Sequence, residues 1–201
     1  MSLAALSAAL ACAGLSVTAS VADGADSVAV RYYFAGATDL AGNTNFDRAK
    51  KIFDLPPAQH FQGLVLDRLA GVYANALQLG AGGDSSALLR PMLNDLLHAE
   101  SMGSFGGHDQ HRMDFVVAAR LDSKSAEAWQ KRLETALHAP GETLTADGFT
   151  GRRWNRSGND ALWILRARDW TVAGRGEDLA PVRSEYLRNI KQDNRPGTVM
   201  K

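Results

Sequence analysis

The order of apolar and polar positions divides the chain into an opening strand, a helical stretch and a sheet-forming half. Residues 27–37, "SVAVRYYFAGA", are dense in β-branched and aromatic side chains and predict a strand. In "TDLAGNTNFDRAKKIFDLPP", Asp47 is placed to cap a short helix carrying Ile52 and Phe53, which Pro56-Pro57 ends. From Pro57 onward Phe61, Leu64, Val65, Leu69, Val72, Ala76 and Leu77 recur at helical spacing and predict an amphipathic helix. The loop "LGAGGDSS" stops it. Asp84 or Ser85 then caps a second helix with Leu88, Leu89, Met92, Leu93, Leu96 and Leu97 on its apolar face. Pro91 either kinks this helix or marks its first turn. Two helices joined by a short glycine loop predict a helical hairpin.

The pattern then changes period. "MDFVVAARLD" (113–122) predicts a buried strand, and Asp122 or Ser123 caps a helix whose apolar face is Ala126, Trp129, Leu133, Ala136 and Leu137. Pro140-Gly141 closes it. "DGFTGRRWNRSGNDALWILRARDWTVAGRGED" predicts three strands, broken at Ser157-Gly158-Asn159-Asp160 and at Arg168-Asp169. A last helix begins near Glu177-Asp178, whose charge suits the positive end of a helix dipole. The fold class expected is α+β: a helical hairpin, then a mainly antiparallel sheet of split βαβ, ferredoxin-like, character. One domain over 23–201 is expected, helical over about 45–100 and sheet-forming over about 101–201. The tail "NRPGTVMK" ends without an element of its own, which suggests a fragment of a longer product.

The first 22 residues, "MSLAALSAALACAGLSVTASVA", carry no charge, and Ser20 and Ala22 suit cleavage before Asp23. They read as a secretory signal peptide without its basic start. A lipoprotein reading would acylate Cys12. No later stretch is apolar enough to span a membrane, so the mature chain is expected in the periplasm or outside the cell. Composition adds limits. The chain has 201 residues, 45% apolar and 22% charged, which suits a globular core rather than global disorder. Lys plus Arg and Asp plus Glu are 22 each, unlike the strongly basic footprint of a general nucleic-acid binder. A single cysteine excludes an intrachain disulfide framework and a cysteine-based zinc site.

Two clusters invite chemistry. "GSFGGHDQHRMDF" (103–115) holds His108 and His111, with His98 and Glu100 just upstream, enough donors for zinc. The H-x-x-H spacing is not the i, i+4 of a helical zinc motif, and Gly106-Gly107 suits a turn. Strands over 99–105 and 112–121 would make "GGHDQH" a solvated hairpin loop. The second cluster is Arg152, Arg153, Trp154, Arg156, Arg166 and Arg168, which could bind an anionic glycan or single-stranded nucleic acid by charge and stacking. Alternation of Trp163, Leu165 and Ala167 with Ile164, Arg166 and Arg168 favours instead an amphipathic sheet, tryptophans inside and arginines in water. "LGAGGDSS" lacks the lysine and spacing of a phosphate loop, and no G-x-S-x-G nucleophile turn occurs.

"FAGATDLAGNTN", "LLRPMLNDLLHAES", "FVVAARLDSKSAEAWQKRLETAL", "ADGFTGRRW" and "RARDWTVAGRGED" together resemble the N-terminal part of a family of secreted bacterial hypothetical proteins of the Verrucomicrobia type. The resemblance implies export, an α+β fold and a longer usual length. It brings no functional residue. The expectation is an exported, non-enzymatic binding or structural module, with no cofactor. Its partner would be its own further C-terminal region or another envelope protein. The alternatives are a metal-dependent hydrolase centred on His98, His108 and His111, and an anionic-polymer binder through the Arg/Trp strands.

Overall fold

A computed structural model describes residues 15–18, 28–37, 46–77, 79, 84–109, 112–156, 160–176 and 180–192. Their strands are β1 (Leu15–Thr18), β2 (Val28–Phe34), β3 (Ser101–Asp109), β4 (Arg112–Arg120), β5 (Glu142–Ala146), β6 (Phe149–Asn155), β7 (Ala161–Ala167) and β8 (Trp170–Arg175). The helices are α1 (Phe46–Phe53), α2 (Pro56–Ala76), α3 (Asp84–His98), α4 (Ser123–Leu137) and α5 (Ala180–Lys191). All eight strands form one sheet in the order β1-β2-β3-β4-β8-β7-β6-β5, and every neighbouring pair is antiparallel. The fold is α+β. Between β4 and β5, α4 crosses from the middle of the sheet to its edge, and β6, β7 and β8 fill the gap by three successive hairpins. This is a split βαβ unit with three strands inserted.

The sheet has a core on each face. Ala119, Leu162, Ile164 and Ala173 point toward α2, α3 and α4, where Ala70, Ala74, Leu89, Met92, Trp129 and Leu133 are buried. Val116, Ala118, Trp163, Leu165 and Val172 point the other way, beneath Val182, Tyr186, Leu187 and Ile190 of α5. Consequently β7 and β8 are buried on both sides, and the expected division of tryptophans inside and arginines in water does not hold. The cause is α5, which covers the second face and removes it from solvent.

Caps and turns follow local chemistry. The Asp122 carboxylate accepts from Ser125 N–H at 2.6 Å and starts α4, and His138 ends it in the left-handed region at φ 52°. Pro91 lies inside α3, not at its first turn. Two strands, β1 and β5, were not expected. Each pairs on one side only, at an edge of the sheet, where a strand needs little apolar alternation. β1 lies within the segment read as an export signal.

The largest departure concerns α2. Its buried residues are Leu66, Ala70 and Ala74, followed by Leu77. Of the seven positions that the spacing singled out, Phe61, Leu64, Val65, Leu69 and Val72 face solvent, whereas Leu77 is buried as expected. The helix is apolar on two opposite sides. The small side is buried because Ala70 and Ala74 let the helix backbone approach its neighbours closely, which bulkier side chains would prevent.

Candidate functional site

The strand β3 decides the arrangement of the histidines. His98 ends α3, exposed, with Nδ1 2.8 Å from the Asn94 carbonyl oxygen. Glu100 precedes β3. Its carboxylate accepts from Tyr33 Oη at 2.8 Å and from Arg120 Nη1 at 3.1 Å, and Arg120 also donates to Asp169. His108 lies near the far end of the same strand. At about 3.3 Å per residue, Glu100 and His108 are separated by roughly 26 Å of extended backbone. Zinc ligands lie within about 2–2.3 Å of one ion, so His98 and Glu100 cannot share an ion with His108. His111 and the His108 side chain lie outside the described residues. Among the described residues no group of three metal-ligating side chains converges.

The arginine and tryptophan positions are likewise dispersed. Arg152 stands opposite Ile164 on the α4 side of the sheet and reaches Thr143 Oγ1 at 3.5 Å. Arg153 stands opposite Trp163 on the α5 side, where the Arg183 guanidinium lies 5.2 Å above the Trp163 ring. Trp154 is buried and donates to the Ala139 carbonyl at 2.8 Å. Arg156 donates to the Leu77 carbonyl at the end of α2. Arg166 donates to Thr171 Oγ1 at 3.0 Å and to the Leu121 carbonyl at 2.9 Å. Arg168 sits in the β7–β8 turn with φ 58°. The six residues are spread over both faces and both ends of the sheet and form no common surface.

A cleft of about 190 Å³ opens between α4 and the sheet, lined by Ser123, Glu127, Gln130, Thr150, Arg166 and Thr171, among others. It is smaller than the roughly 300–1,000 Å³ that small-molecule sites occupy, and its arginine is held by main-chain and side-chain oxygens of the fold.

A second polar group, invisible in the sequence, locks the helical hairpin to the sheet. Arg175 donates from Nε and Nη2 to the two oxygens of Asp160, both at 2.9 Å, and from Nη1 to the Ala76 carbonyl at 2.5 Å. With Arg156 it satisfies the carbonyls at the C-terminus of α2, where a helix end favours positive charge. Arg175 and Asp160 lie 15 residues apart in sequence, and only the β7–β8 pairing brings them together.

Among the described residues an apolar face is also left open to solvent. Ile52, Phe53 and Leu55 at the α1–α2 corner, and Phe61, Leu64, Val65, Leu69 and Val72 along α2, are between 39% and 66% exposed. At about half exposure each, the five along α2 alone present on the order of 450 Å² of apolar surface. The largest apolar patch on an ordinary monomer is about 300–600 Å² and is itself often functional. This α1–α2 face is the candidate site. Within the sequence its signal was the stripe itself; what was missed is the second, smaller line Leu66, Ala70 and Ala74, which wins the core together with Leu77 from the end of the stripe. Comparison of the chain with protein-family models, curated proteins and solved structures finds no match. No helix among the described residues is long and apolar enough to cross a membrane.

Proposed function

We propose that this chain is an exported, non-enzymatic binding module that meets its partner through the α1–α2 apolar face. The observation that carries the reading is the exposed stripe Phe61, Leu64, Val65, Leu69 and Val72 along α2, of the size that is often functional on a monomer. The polar clusters support it from the other side. Glu100, Arg120 and Asp169 are occupied with one another, and Asp160 with Arg175, so these ionisable groups are committed to the architecture. Export rests on the uncharged first 22 residues.

The apolar dye 8-anilinonaphthalene-1-sulfonate tests the face directly, on folded full chain at the lowest workable protein concentration. Saturable fluorescence is expected, and Phe61→Asp with Leu69→Asp should abolish most of it while circular dichroism stays unchanged. Equal dye binding by folded wild type and variant would sink the reading.

A further inference from the structure

The identity of the partner is constrained by the shape and charge of the face. Along α2, Phe61, Val65 and Leu69 form one ridge at i+4 spacing, and Leu64, Arg68 and Val72 form the next. Two such ridges with a groove between them are the surface used when helices cross at about −50°, each inserting its i±4n ridge into the other's groove. A helix presenting this pattern is complementary to another helix of the same pattern, including its own copy. Arg68 does not spoil the ridge, because its methylene stem can cover apolar surface while the guanidinium stays in water.

Charge narrows the choice further. Over 46–76 there are four lysines and arginines (Arg48, Lys50, Lys51, Arg68) and three aspartates (Asp47, Asp54, Asp67). That is no basic excess of the kind that draws a helix to an anionic membrane. Mixed signs are what self-contact requires, since a two-fold interface brings a patch against itself and a border of one sign would repel its copy. Area agrees: with Ile52, Phe53 and Leu55 of the α1–α2 corner included, roughly 700 Å² of exposed apolar side chain is close to the ~800 Å² that each partner contributes to a standard specific interface.

Resting on the docking role of this face, we infer that its occupant is a second copy of this chain, joined about a two-fold axis through α1 and α2. The dimer buries Phe61, Leu64, Val65, Leu69 and Val72 of both copies at its centre and leaves Lys50, Lys51 and Asp54 at its rim.

Sedimentation equilibrium of the full chain from sub-micromolar to about 100 μM tests this. A mass twice the 21.6 kDa of the chain is expected. Leu64→Asp with Val72→Asp should raise the dimer dissociation constant at least about 100-fold, and Arg188→Asp on α5, away from the face, should leave it unchanged. Thermal melts of each variant identify any that fail to fold, and the single Val72→Lys provides a milder second test. A wild-type chain that stays monomeric throughout overturns the dimer. If that monomer still binds the dye and loses it on Phe61→Asp with Leu69→Asp, the docking face survives with a different occupant. A dimer that persists in folded Leu64→Asp/Val72→Asp overturns the placement. Flotation of the chain with phosphatidylcholine vesicles, lost in the same variant, overturns the second copy in favour of a lipid surface.

Discussion

Arg175 ties the sheet to the end of α2 through a nearly dry ion pair. Its side chain is 3% exposed and that of Asp160 11%, so the pair is held almost out of water, and both carboxylate oxygens are used. Removing one partner leaves the other charge buried without its counter-charge. Arg175→Met should therefore cost about 3–5 kcal/mol in urea unfolding, and the double change with Asp160→Leu should cost less than the sum of the singles. A double mutant that is strictly additive would mean the two charges do not depend on each other. The neighbouring Gly174 is fixed by a steric limit. A β-carbon there would lie 2.3 Å from Trp163 Cζ2 and 2.6 Å from the Phe115 carbonyl oxygen. Gly174→Ala should destabilise by about 1–3 kcal/mol, read from the denaturation midpoint. The candidate metal residues illustrate the limit of reading residues singly: four donors within fourteen positions look like a set, yet β3 extends through them.

Helix α2 shows that helical spacing identifies a helix but not which side is buried. Two apolar lines run along it, and the tertiary contacts of Ala70 and Ala74 select the smaller one. The choice has a direct consequence. Leu66→Ala should cost about 2–5 kcal/mol, whereas Phe61→Ser should change monomer stability by no more than about 0.5 kcal/mol, measured well below the concentration of association. Similar losses at the two positions would contradict the orientation of the helix. Helix α4, by contrast, was legible throughout. Trp129, Leu133 and Ala136 face the core as their spacing predicted, and Asp122 is the cap. The Ser125 amide holds the Asp122 carboxyl below its ordinary value. A depressed carboxyl stabilises above its unfolded pKa and loses that contribution as pH falls through the folded pKa. Asp122→Ala should lower the unfolding midpoint at neutral pH, and the gap from wild type should close in acid.

Across the whole molecule, burial reaches the tyrosines on both faces of the sheet. Tyr32, Tyr73 and Tyr186 are all held above the ordinary phenol value by desolvation, and Tyr32 lies flat against Gly103 and stacks on Phe105 at 6.0 Å. Such groups stay neutral in the folded state while the unfolded chain ionises. Their contribution is complete below the unfolded pKa of about 10 and is lost as pH rises from there toward the folded pKa. Tyrosinate absorbance should therefore lag behind that of a free phenol, then rise with unfolding. Normal titration of all four tyrosines in the folded chain would contradict this packing. The edge strand β1 makes a separate prediction. If the first 22 residues are removed on export, the mature chain begins at Asp23, loses β1 and leaves β2 as the sheet's edge. Mass spectrometry of the secreted chain should show that start, and amide exchange should be faster along the newly exposed side of β2 than in the uncut chain.

The sequence alone determined the class of fold, the positions of the five helices, the three consecutive strands after residue 148 and the Asp122 cap of α4. These depend on local periodicity, on proline and glycine, and on short-range hydrogen bonds, all of which are written in neighbouring residues. Tertiary structure decided what depends on who covers whom. It buried both faces of β7 and β8 beneath α4 and α5, and it joined Arg175 to Asp160 and to the end of α2. It separated His98 and Glu100 from His108 by the length of a strand. It also turned the larger apolar side of α2 outward. A helix with two apolar sides has no local reason to prefer either. The preference comes from how closely the neighbouring elements can approach, and that exists only once the sheet is assembled.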